Sequence, residues 1–244
     1  SRPRCLATPY FPTVTETAHA SIGIAGLPEV HGIIGDETFQ RHADGLQRIT
    51  LSGCEERLYC PGGFVNRPSL LESLSRKDIQ TIVVAGKKKV ARLLDPRPER
   101  YGPGIRVTLS PGEIGERLVY QILDEAGEAG PPSWNLDSIR APLSLKEPGT
   151  DCSLLDMTRL LLSNARDPGK NAFVFIGLPQ MDALGHSCGR KDEMFTNALS
   201  ELDEALCDFL RWLLNGAIED TAVVVTGDHG CRPVSKAVWS NEEG

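Results

Sequence analysis

The chain has no uninterrupted apolar run of the roughly 18 residues that would read as a membrane span, so none is expected. It also has no CxxC pair. Its seven cysteines (Cys5, Cys54, Cys60, Cys152, Cys188, Cys207 and Cys231) are scattered and odd in number, which supports neither a zinc knuckle nor a dithiol redox motif. A basic excess is missing as well. The 26 lysines and arginines face 33 carboxylates, a net charge of −7, so a nucleic-acid polymer is not the expected partner. Residues 1–10 carry no signal-peptide pattern, and with scattered cysteines this gives a cytoplasmic protein as the expectation. Internal repeats and low-complexity tracts are also absent.

What remains is a globular composition, 40% hydrophobic and 24% charged over 244 residues, enough for one large core. Short apolar, β-branched runs alternate with helical patterns. Thr81–Ala85, Ile105–Leu109, Asn171–Leu178 and Thr221–Thr226 read as buried strands. Ser69–Ser75, Val90–Leu94, Ser110–Ala126, Ser153–Arg166 and Glu193–Leu214 read as helices, the last with Phe195, Leu199, Leu202, Leu206 and Leu210 on its apolar face. This alternation predicts an α/β fold with a mostly parallel central sheet and helices on both faces. Residues 37–70 read as irregular, and 127–150 as a Gly/Pro-rich loop or lid edge. We expect a single core over 1–244, with 37–150 shaping a substrate pocket.

Three stretches carry chemistry. The first, FPTVTETAHASIGIAGLPEVHGIIGD (residues 11–36), reads as a loop feeding a helix, with hydroxyls at the helix start. A helix N-terminus offers unpaired N–H groups to a phosphate, and a hydroxyl there could attack phosphorus once deprotonated. On this stretch alone Thr15 or Thr17 reads first as an ordinary N-cap. The second, MDALGHSCG, follows the strand at 171–178 as a loop and spaces Asp182 and His186 so that both can reach one cation. The third, TGDHG, sets Asp228 and His229 between glycines at the end of the 221–226 run. Mixed oxygen and nitrogen donors suit Zn²⁺ or Mn²⁺ better than Ca²⁺. His19 and His31 read as locally hydrogen-bonded side chains.

In combination and order these blocks resemble the alkaline phosphatase superfamily. The likeness is closest to its type I phosphodiesterase/nucleotide pyrophosphatase branch and to the related phosphonoacetate hydrolases. The resemblance implies an alkaline-phosphatase-like core, a nucleophilic threonine matched by Thr15, and a phosphoryl-enzyme intermediate. It implies two divalent metal ions, Zn²⁺ first and Mn²⁺ second, with Asp182 and His186 on one and Asp228 and His229 on the other. It implies hydrolysis of a small phosphorylated substrate, a phosphodiester or pyrophosphate first, with phosphomonoester or phosphonate cleavage as the alternative. Lys87 and Lys89 of VVAGKKKVARLL match lysines that contact anionic substrate groups, although a solvated basic turn explains them too. Asp36 stands where the family has an asparagine that donates to a phosphoryl oxygen. The family's upstream Asp ligand and downstream His ligand have no match within the chain. That leaves two expectations, a chain trimmed at both ends or a degenerate binding module of the same fold.

Overall fold

The structure is a computed structural model that describes residues 13–43, 45–51, 65, 67–94, 105–108, 150–164, 166, 168–218 and 220–230. In chain order the elements are α1 (Thr15–Ile24), α2 (Pro28–His31), β1 (Glu37–His42), β2 (Gly45–Thr50), α3 (Leu70–Ser75), β3 (Gln80–Ala85) and α4 (Lys88–Leu94). They continue with β4 (Ile105–Thr108), α5 (Asp151–Asn164), β5 (Ala172–Gly177), α6 (Gln180–Ser187) and α7 (Glu193–Trp212). The architecture is mixed α/β with small sheets. The expected helix at 110–126 and most of the region expected to shape a pocket lie outside the described residues.

β3 is the middle of a three-stranded sheet in the order β4-β3-β5, and both pairings are parallel. Its side chains alternate between two apolar layers, as the pleat requires. Ile82 and Val84 pack with Leu154, Leu155, Met157 and Leu161 of α5 and Phe209 of α7. Val83 and Ala85 pack with Leu71 of α3 and Val90, Ala91 and Leu94 of α4. Helices therefore cover both faces, which is why these strands read as continuous apolar runs. α3 starts where its sequence predicts, with Ser69 Oγ accepting from the Glu72 N–H at 3.0 Å.

α1 lies against α4 at Gly23, where an added Cβ would sit 2.7 Å from the Leu93 carbonyl oxygen. This close approach brings the head of α1 to the carboxyl end of β3. Gly86, just past that end, has the same kind of role. A Cβ there would lie 2.7 Å from Pro179 Cδ and 3.3 Å from Leu154 Cδ1. The Gly86 N–H also donates to the Gly177 carbonyl at 3.2 Å, fastening the strand ends together.

Three expectations are corrected. Residues 37–50 are not irregular. β1 and β2 form an antiparallel hairpin with Glu37 opposite Thr50 and His42 opposite Gly45, braced by an Arg48–Glu37 ion pair. Of the side chains in β2 only Ile49 is buried, so no apolar alternation marked the hairpin in the sequence. The MDALGHSCG stretch is not a loop but helix α6. None of its residues is buried, so it carries no apolar stripe that periodicity could detect. The 221–226 run forms no strand, and Val224 is 86% exposed. An apolar run makes a strand only where a neighbour takes its backbone hydrogen bonds, and among the described residues none does.

Candidate active site

Thr15 is the first residue of α1. The N-cap is Val14, which makes no side-chain capping bond. Neither threonine therefore serves as the cap, and the Thr15 hydroxyl is available for other work. It lies 3.3 Å from Nε2 of His229. The His229 Nδ1–H donates to the Gly230 carbonyl at 3.2 Å, which leaves Nε2 with the lone pair and lets it accept from Thr15. The Asp228 carboxylate accepts from the His229 backbone N–H at 3.0 Å, and its Oδ2 comes within 3.5 Å of the same Nε2. An imidazole lone pair and a carboxylate oxygen thus converge beside one hydroxyl, although 214 positions separate Thr15 from His229.

His19 and His31 hold this stretch in shape, as their sequence reading expects. His19 Nδ1–H donates to the Thr15 carbonyl one turn back at 2.8 Å and stands 3.7 Å from Asp228 Oδ2. Its ring meets Phe175 edge-on at 6.0 Å. Burial lowers its pKa, outweighing the Thr15 bond and the Asp228 charge, so the neutral ring is favoured. His31 is fully buried and its pKa is also lowered by burial. Its Nδ1 accepts from the Ile33 N–H at 3.1 Å, so its Nε2–H donates to Ser21 Oγ at 3.0 Å, and Ser21 in turn donates to the Thr17 carbonyl at 2.8 Å. The α2 loop is thereby tied to the first turns of α1.

α6 supplies the second pair. Asp182 lies in its first turn and His186 in its last, four residues apart on one face, with His186 Nε2 3.3 Å from Asp182 Oδ1. A carboxylate at the positive end of a helix and an imidazole at the negative end also suit the helix dipole. Lys87 Nζ donates to Asp182 Oδ2 at 2.5 Å. Burial alone would raise the Asp182 pKa, but the Lys87 bond and charge, with smaller help from His186 and His229, hold it below the usual carboxylate value.

Lys89 has a different partner from Lys87. Its ammonium is bonded to Glu16, whose side chain is nearly fully buried next to Thr15. Glu16 went unnoticed in the sequence, because a single acid in a first helical turn reads as a dipole complement. Asp36 leads into β1, where its carbonyl accepts from the Leu51 N–H at 2.8 Å.

The donor chemistry fits a divalent cation at each pair, since a carboxylate oxygen and an imidazole nitrogen converge in both. Each pair supplies two donors, and among the described residues no third carboxylate, imidazole or thiol completes either set. No described helix is long and apolar enough to cross a membrane.

No curated protein matches the chain. The family model for type I phosphodiesterase / nucleotide pyrophosphatase matches residues 4–242, nearly the whole length and all three chemical blocks. With Thr15, Asp182, His186, Asp228 and His229 inside that span, the chain belongs to the type I phosphodiesterase/nucleotide pyrophosphatase family of the alkaline phosphatase superfamily and is a phosphoric ester hydrolase.

Proposed function

We propose that the chain cleaves a phosphodiester or pyrophosphate bond of a small phosphorylated substrate through a phosphoryl-threonine on Thr15. The observation that carries this reading is the 3.3 Å approach of the Thr15 hydroxyl to His229 Nε2, beside Asp228 and at the head of a helix. The Thr15 oxygen attacks phosphorus, the ester oxygen leaves with the hydroxyl proton, and water then breaks the new oxygen–phosphorus bond. The first-turn amides of α1 have no intrahelical acceptor and are directed to the phosphoryl oxygens. Asp182 and His186 would hold one divalent cation, and Asp228 and His229 the other, Zn²⁺ by preference and Mn²⁺ next. Bound there, the cations would lower the pKa of the Thr15 hydroxyl and offset charge on the phosphoryl oxygens.

Lys87, half-buried at Asp182, is placed to reach a substrate anion. Lys89 balances Glu16 as Lys87 balances Asp182, and the two are about equally exposed, so Lys87 is favoured by its place beside the Asp182/His186 pair. Asp36, in place of a neutral donor, disfavours an anionic phosphoryl oxygen. That residue and the two-donor count at each pair favour a second reading, a binding module of the same fold. The two separate cleanly. Thr15→Ala should lower hydrolysis of bis(p-nitrophenyl) phosphate by the full chain at least a thousandfold, on the order seen when a nucleophile is deleted, and a chelator should do the same. Hydrolysis that survives both treatments would refute the threonine mechanism.

A further inference from the structure

α6 carries Asp182 and His186 but has no cap of its own. Its N-cap is Pro179, which has no side-chain acceptor to offer. The missing acceptor comes from another helix. The Gln180 N–H, at the head of α6, donates to Asp151 Oδ1 at 3.1 Å, while the Asp151 N–H, at the head of α5, donates to Gln180 Oε1 at 3.1 Å. Two helices that start side by side thus cap each other. This is the arithmetic of a capping box, in which two orphan donors are satisfied reciprocally, but it is spread across two helices and 29 residues of separation.

The clamp is buried and well located. Asp151 is 1% exposed, and its second oxygen, Oδ2, has no hydrogen-bond partner among the described residues. Its hold on α6 therefore runs through Oδ1. On the other flank, Pro179 is pressed against Gly86 at the end of β3. Gln180 is thus fixed between a buried carboxyl and a close backbone contact, two residues before Asp182.

We propose that Asp151, through its reciprocal bonds with Gln180, is a positioning residue that aims Asp182 and His186 at their shared cation. It touches neither of them. It sets the direction in which α6 leaves β5, and so the separation of the α6 pair from Asp228 and His229. The inference rests on the reading of Asp182 and His186 as metal ligands. A partner bonded directly to a ligand is worth tenfold or more in metal affinity, and Asp151, acting one step further out through Gln180, is placed at the low end of that range.

The test is calorimetric titration of Zn²⁺ into the full-length chain. Asp151→Ala and Gln180→Ala should each weaken Zn²⁺ binding about tenfold. Asp151→Asn keeps the Oδ1 acceptor and should stay within about twofold of wild type. Leu161→Ala, a core change in the same helix, should lower the midpoint of urea unfolding yet leave Zn²⁺ affinity unchanged, which separates aiming from stability. If Asp151→Ala fails to fold, Gln180→Ala, at a half-exposed position, decides the matter alone. Asp182→Ala distinguishes the two levels. Weak binding in Asp182→Ala with wild-type binding in Asp151→Ala and Gln180→Ala overturns the positioning role and leaves the ligand reading intact. Wild-type binding in Asp182→Ala overturns the ligand reading, and the positioning role falls with it.

Discussion

Lys89→Met leaves the Glu16 carboxylate buried beside Thr15 without its cation. The Glu16 side chain is 4% exposed and that of Lys89 is 27% exposed, so water screens the pair only from the lysine side. Breaking a fully buried pair from one end costs about 3–5 kcal/mol, because the remaining charge stays desolvated. The partial exposure of Lys89 reduces this to about 2–3 kcal/mol. In a chain of this size each kcal/mol moves the melting temperature by about 2–4 °C, so Lys89→Met should melt about 5–10 °C lower. The double variant Glu16→Gln/Lys89→Met removes the orphaned charge and should recover about 2 kcal/mol of the loss, a coupling read from a double-mutant cycle in urea. Wild-type stability in Lys89→Met, together with a tenfold rise in KM for bis(p-nitrophenyl) phosphate, would refute this reasoning. It would instead return Lys89 to the substrate-binding role that its sequence context suggests.

Two further predictions follow from the same geometry. Burial, opposed only by the Gln180 bond, pushes the Asp151 carboxyl up to about 6, against an ordinary value of 3.8. The acid form is thus favoured in the folded state, with no penalty below pH 4 and the full penalty above pH 6. A shift of about two units corresponds to about 3 kcal/mol. The stability of Asp151→Asn relative to wild type should therefore rise by about that amount between pH 4 and pH 6.5 in urea titrations, and a difference independent of pH would contradict it. Gly86→Ala places a methyl group against Pro179, and overpacking of this kind costs about 1–3 kcal/mol. Thermal unfolding should show that loss, and wild-type stability would mean that α6 yields freely at its base.

How much of this was legible in the sequence depended on whether the physical cause was local. β3 is buried on both faces, and β5, half-buried, packs apolar side chains on both, so their apolar runs declared them. α7 has a continuous apolar face and a capping aspartate, Asp192, whose side chain accepts from the Met194 N–H, and its ends fell near the expected positions. The 37–50 hairpin and α6 are both solvent-facing, and neither shows the periodicity that burial imposes. In the sequence, an Asp-Gly pair ending at Gly45, the first residue of β2, was the one available cue. Family blocks nominated Thr15, the two Asp/His pairs and the lysines, and the structure brings Thr15 to His229 and Asp228, with Asp182 beside His186 and Lys87. It could not be read from the chain that Lys89 turns to Glu16, or that Asp151 caps a helix 29 residues away. Those facts belong to packing between segments that sequence spacing does not connect.

The exposed 221–226 run makes the two halves of the site unequal. Thr15 and the Asp182/His186 pair stand on helices braced by the sheet and by close glycine contacts. Asp228 and His229 follow a segment that pairs with no strand among the described residues, and the Thr15, His19 and Gly230 contacts hold them. Fixing one backbone residue costs about 1–2 kcal/mol in entropy. On the proposed reading, the affinity for a cation or substrate would depend as much on how firmly 221–230 is anchored as on the donors themselves. A chain that pairs this segment would gain binding strength without changing a single ligand.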